Sequence, residues 1–209
     1  KHEVPLANAG KILCKEGSDQ VIKVETGGTL ELQSGVLQGA GVRHIVYVEG
    51  GTLNVSGGYI VGGGSDDRPG GGIFVTGGAE NGTVNIQGGV VAANRGNFGG
   101  GIYVSSGTLN ISGGTVTASG DRGFTLDENG VLAITGGDVL ATATDYAFGM
   151  DSAGTAVPVD TSGCTQGVVQ LDYAAEWKKS NAVTLKNGSE TVFDMTPSKK
   201  YTYVLASSP

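Results

Sequence analysis

Basic charge is scarce in this chain. Thirteen Lys and Arg stand against 20 Asp and Glu, for a net charge of −7 and a pI near 4.7. A surface of that sign repels phosphate, which excludes nucleic acid as a partner. Long apolar runs are missing as well. Nothing approaches the ~20 residues of a helical membrane span, so membrane insertion is not expected. Histidine occurs twice, cysteine twice and tryptophan once in 209 residues. Glycine is abundant instead, at 39 residues. It shows no three-residue period, which excludes collagen, and the apolar residues between the glycines recur too regularly for a disordered low-complexity chain.

That regularity is a repeat. The stretch Gly99 to Gly120, GGGIYVSSGTLNISGGTVTASG, has near-copies on both sides. Its GTLNI core at Gly107 returns as GTLEL at Gly28, GTLNV at Gly51, GTVNI at Gly82, GVLAI at Gly130 and, degraded, GTAVP at Gly154. Successive copies are 23 to 25 residues apart, except for one interval of 31 between Gly51 and Gly82. A period of that size means stacked units, none of which buries its apolar face alone.

Each unit holds three short runs of period-two alternation separated by Gly-rich corners, which is a strand signal. Run a places Leu30, Leu53, Val84, Leu109 and Leu132 in one inward column. Run b does the same with Leu37, Ile60, Val91, Val116 and Val139, each followed by a small residue two positions on. Run c carries Ile22, Val46, Ile73, Ile102, Phe124 and Phe148. Three strands per turn with one face buried close a coil, so the expected fold is all-β: a single right-handed parallel β-helix with three strands per rung and about six rungs ~4.8 Å apart. Corner glycines supply positive φ.

In chain order, residues 1–20 are expected to be an entry and cap segment, with KILC as a strand covering the first rung, since an open solenoid end exposes backbone edges. Residues 21–162 form the β-helix, with the long second copy carrying GGGSDDRPGGG and TGGAENG on either side of Phe74. From residue 163 to 209 glycine thins out. VVQLDYA, AVTLKNGSETVFDM and KYTYVLA then read as an antiparallel β-rich cap with a hairpin at Lys186-Asn187-Gly188-Ser189. Cys14 and Cys164 flank the rungs, about 30 Å apart on this reading, so no disulfide between them is expected.

Outward positions of run c are Lys23, Tyr47, Phe74, Tyr103, Thr125 and Gly149, one per rung. Three exposed aromatics in a row would offer sugar rings a platform along a linear polymer, or else serve only as a ladder bracing neighbouring strands. The four arginines, Arg43, Arg68, Arg95 and Arg122, all fall in the corner before run c. Their planar forks suit uronic acid carboxylates, and pairing with Asp of the adjacent rung is the competing role. Asp121, Asp127, Asp145 and Asp151 repeat at 24 residues. Hard oxygen ligands gathered on one edge suit Ca²⁺; a solvated acidic edge is the alternative, and no cofactor is otherwise required.

Two resemblances bear on these surfaces. The GGGIYVSSGTLNISGG unit is similar to repeats of secreted bacterial adhesin-like β-helix proteins. The ending FDMTPSKKYTYVLASSP resembles that of a bacterial family of parallel β-helix carbohydrate-binding domains, in which repeats run into a terminal β-rich segment closing on Ser-Ser-Pro. That second resemblance implies an extracellular, secreted or cell-surface domain binding plant-type polysaccharides, acidic ones included, with calcium in rung corners. Here PGGGI and NFGGGI replace the Asp-Gly pairs that the family carries ahead of run c.

The expected function is therefore a non-catalytic polysaccharide-binding module, with a structural adhesin repeat as alternative and a polysaccharide lyase or hydrolase as second alternative. The enzyme reading lacks partners for SDDRP: only His2 and His44 exist, with no Gly-His-Gly and no Arg-Ile-Lys, and adjacent acids in a Gly-rich stretch usually make a turn. Run a also has an outward threonine row, Thr29, Thr52, Thr83, Thr108 and Thr155. The row beside it, Glu31, Asn54, Asn85, Asn110 and Ala133, is not a second threonine row, which counts against an ice-binding face.

Overall fold

The computed structural model describes residues 10–13, 18–39, 41–64, 69–96, 100–118, 122–141, 146–150, 158–160, 169–171, 183–187 and 190–195, and its side-chain detail ends at residue 137. Every element among them is a strand. In order these are β1 (Lys11–Leu13), β2 (Gln20–Glu25), β3 (Thr29–Leu32), β4 (Val36–Gln38), β5 (His44–Glu49), β6 (Thr52–Val55), β7 (Tyr59–Val61) and β8 (Ile73–Thr76). There follow β9 (Gly82–Asn94), β10 (Ile102–Ala118), β11 (Arg122–Ala141), β12 (Tyr146–Met150), β13 (Pro158–Asp160), β14 (Val169–Leu171), β15 (Val183–Asn187) and β16 (Glu190–Met195). The strands stack in parallel as a β-solenoid of about four turns, against the six expected.

The inward columns pair as the alternation demands. Leu30, Leu53, Val84, Leu109 and Leu132 are successive register partners. So are Leu37, Ile60, Val91, Val116 and Val139, and likewise Ile22, Val46, Ile73, Ile102, Phe124 and Phe148. Away from the first rung these side chains, where described, are almost wholly buried; Ile22 and Leu30 remain partly exposed because no full rung lies beneath them. Each fully buried aliphatic side chain contributes about 1.5–3 kcal/mol, so the columns supply most of the driving force for coiling.

The corner after run a shows why the sequence repeats Gly-Gly there. Gly58, Gly89, Gly114 and Gly137 have φ between +75° and +86°. A Cβ on any of them would lie 2.7–2.9 Å from backbone of the rung below. Only glycine combines that conformation with that approach.

Both ends depart from the sequence reading in part. β1 pairs in parallel with β4, so the entry strand covers run b of the first rung as expected. At the far end β13 sets Val159, rather than Ala156 of the GTAVP copy, opposite Leu132. Alignment on the GTAVP copy would put Pro158 inside the strand, where it has no N–H to donate; the chain slides by three residues so that Pro158 comes first. VVQLDYA does not begin an antiparallel cap. Its β14 pairs in parallel with β11, Val139 to Val169, and extends the run b column. Among the described strands the one antiparallel pair is the hairpin β15–β16, whose first strand also pairs in parallel with β13; isolated antiparallel bridges join Glu25 to Gly50 and Gly77 to Asn81. Cys14 and Cys164 lie outside the described residues.

Candidate functional site

Parallel in-register pairing brings Tyr47, Phe74 and Tyr103 into one row on run c. The rung spacing leaves rings at this position little choice but to stack, and they do. Centroids are 5.3 Å apart for Tyr47 and Phe74 and 4.9 Å for Phe74 and Tyr103, with interplanar angles of 25° and 21°. His44 joins the stack from the start of β5, 5.6 Å from Tyr47 and 4.8 Å from Phe74.

The row is less open than the sequence implied. Tyr47 and Phe74 are half-buried, Tyr103 is 8% exposed and Thr125 is fully buried. The expectation of exposure is therefore corrected for Tyr103 and Thr125, and for Tyr103 the cause is local. The end of the long second-copy corner lies against the row: a Cβ on Gly70 would come within 2.9 Å of Phe74 Cδ2 and 3.2 Å of Tyr103 Cβ. Stacking uses the ring faces on one another, which leaves mainly ring edges to a ligand.

Lys23 begins the row and lies 5.9 Å from the Tyr47 ring centroid. Its ammonium is held by Glu25 at 2.9 Å and by Glu49. Hydrogen bonds to Glu49 and then Glu25 raise its pKa above the ordinary lysine value. Burial, with the Glu49 carboxylate as a lesser cause, raises the Tyr47 phenol.

His44 is 4% exposed, and its Nδ1 lies 2.9 Å from the Gly70 carbonyl, so this nitrogen carries the hydrogen and donates. Burial pushes its pKa down from 6.5 to about 4. The neutral ring thus pins the long corner onto the aromatic row. Sequence reading counted His44 only as a missing catalytic partner; its place two residues ahead of Val46, near Tyr47 of the outward row, was the available signal.

The arginines do not share one register. Counted back from the column Val46, Ile73, Ile102 and Phe124, they stand three, five, seven and two residues upstream. Arg43 is half-exposed and its Nε lies 3.9 Å from Asp19, an acid of the preceding rung; that nitrogen has no hydrogen-bond partner among the described residues. Arg95 is exposed. Arg122 opens β11, with only its backbone described. Arg68 lies outside the described residues, as do Asp121, Asp145 and Asp151, and Asp127 has no described side chain. The suggested calcium ligands are therefore not brought together by anything described.

Run a carries a different outward row. Asn54 Nδ2 donates to Glu31 Oε1, Asn85 Nδ2 to Asn54 Oδ1 at 2.8 Å, and Asn110 Nδ2 to Asn85 Oδ1 at 2.8 Å. One more amide is buried where small residues were expected. A register shift after Val116 sets Ala118 opposite Asn94 rather than Ala93. Asn94 accepts from Gly63 N–H at 2.9 Å and donates to the Ile60 carbonyl at 3.0 Å, closing the corner after run b. Its neighbour Arg95 had drawn the attention in the sequence.

Compared with family models, curated proteins and solved structures, the chain matches none. No helix among the described residues is long and apolar enough to cross a membrane.

Proposed function

We propose that this chain is a non-catalytic polysaccharide-binding module of a secreted or cell-surface protein, built as a right-handed β-helix with three strands per rung. The observation that carries the reading is repetition of outward side chains once per rung without a register shift across the first four rungs of run a and of run c. A ligand that itself repeats along one axis meets the same group at each step, and a linear polysaccharide is such a ligand. His44 adds support for a non-catalytic role, because its ring is buried, bonded and neutral down to about pH 4.

Electrophoresis of the chain through native gels containing hydroxyethylcellulose, xylan or polygalacturonate tests this. Retardation is expected in at least one gel, and free migration in all three would sink the proposal. The alternative of an adhesin scaffold is favoured by the closed stacking of the run c rings, and it predicts free migration throughout.

A further inference from the structure

The outward face of run a carries a single ionisable residue, Glu31, in a chain of net charge −7. Thr29, Thr52, Thr83 and Thr108 form its first row, in register along the solenoid. Their hydroxyls have no hydrogen-bond partner among the described residues, and all four side chains are exposed or half-buried. Two residues along each strand comes the amide row already described. Two further on are Gln33, Ser56, Gln87 and Ser112, all exposed but not in one register, since Gln87 pairs with Gly113. Of these residues only Glu31, at the end of the amide row, is ionisable, and Asn54 bonds it. The threonine and amide rows stay in register for four rungs, about 14 Å at ~4.8 Å per rung, and lie ~6.7 Å apart along the strands. The threonine row ends where Thr108 pairs with Val131, 50% exposed, rather than with another threonine.

The amide row is organised but not exhausted. An amide offers two N–H donors and two acceptor sites. Asn54 and Asn85 each spend one of either kind on the ladder, so each keeps one donor and one acceptor, and the ladder fixes the amide plane that presents them. A rigid array of paired donors and acceptors beside hydroxyls, repeated at every rung, complements a polymer of hydroxyl groups. One sugar unit of an extended β-linked glycan advances by nearly the rung spacing. A polyuronate would bring carboxylates to a face that holds no cation, against a net charge of −7.

Resting on the polysaccharide reading above, we propose that run a, rather than run c, holds the main contact face, and that its ligand is a neutral, extended β-linked polysaccharide lying along the solenoid axis. The variant Thr52→Val/Thr83→Val/Thr108→Val removes three hydroxyls while keeping shape and strand preference. In hydroxyethylcellulose gels its affinity should fall about tenfold or more, and Thr→Ser at the same three positions should restore most of it. Polygalacturonate should retard neither variant nor parent, and added salt should leave parent retardation in the neutral gel unchanged.

Unchanged retardation of the valine variant overturns this face while leaving the polysaccharide reading intact. So does parent retardation confined to polygalacturonate. Free migration of the parent in every gel overturns both. Thermal hysteresis by the parent that the valine variant loses, with no retardation in any polymer gel, would assign the face to ice and overturn the glycan. Matched unfolding midpoints for parent and both variants exclude misfolding as the cause of any loss.

Discussion

Runs a and c are built on the same scaffold, with the same rung spacing and the same inward aliphatic columns, yet their outward rows end in opposite conditions. On run a the amides bond along the axis and keep half of their hydrogen-bonding capacity. On run c the rings stack along the axis and a corner closes over them, leaving Tyr103 8% exposed. The difference lies beside the strands rather than in them. In the second copy each run has a long flanking corner; the one before Phe74 ends at Gly70 against the rings and is held there by His44, whereas the threonines of run a stay exposed or half-buried. A repeating outward residue is thus a candidate contact only where no flanking corner packs against it.

The largest effect expected from breaking this contrast is at the corner itself. Gly64 has φ +93°, and a Cβ there would overlap the Arg95 carbonyl of the next rung. Gly64→Ala should cost at least ~4 kcal/mol of unfolding free energy by urea titration. Gly41, φ +66° with nothing within 4 Å of its Cβ, is the control. Its alanine variant should lose only about 1 kcal/mol, from backbone strain alone.

Next comes the ring stack. Phe74 sits between Tyr47, Tyr103 and His44, so Phe74→Ala should cost about 3 kcal/mol. Tyr103→Ala, harmless if the ring stood in water, should also destabilise, by about 2 kcal/mol. A thermal midpoint unchanged in both variants would mean that the corner does not close over the row.

Acid acts on the same place. The His44 pKa is lowered to about 4 in the folded chain from 6.5, so between those values the unfolded chain binds the extra proton. The resulting stabilisation is complete above pH 6.5 and is lost as pH falls towards 4, on the order of 2–3 kcal/mol. Denaturation curves from pH 7 to pH 4 should show that slope, and His44→Phe, which keeps a ring in the stack, should remove it. The smallest effect belongs to run a, where Asn85→Ala breaks two ladder bonds at a half-exposed site and should cost only ~1 kcal/mol.

The sequence made the inward columns legible, because burial demands apolar residues at period two and stacking demands them again one rung later. Register failed where a local residue outweighed the repeat. Pro158 moved β13 by three positions, and Asn94 displaced Ala93 because its amide satisfies backbone groups that alanine leaves bare. The outward rows could be enumerated from alternation alone. Which of them is covered could not, since that depends on the path of a corner whose glycines carry no apolar pattern. The arginines show the same limit: one corner in the sequence became four different offsets from the strand, because the corners differ in length.

The central claim is that the two faces differ in what they leave for a ligand, and one gel decides it. Thr52→Val/Thr83→Val/Thr108→Val and Tyr47→Phe, which keeps the ring stack but removes the phenol, are run beside the parent through hydroxyethylcellulose. The account predicts that retardation falls far more in the threonine variant than in Tyr47→Phe. A larger loss in Tyr47→Phe, with the threonine variant migrating like the parent, would contradict it.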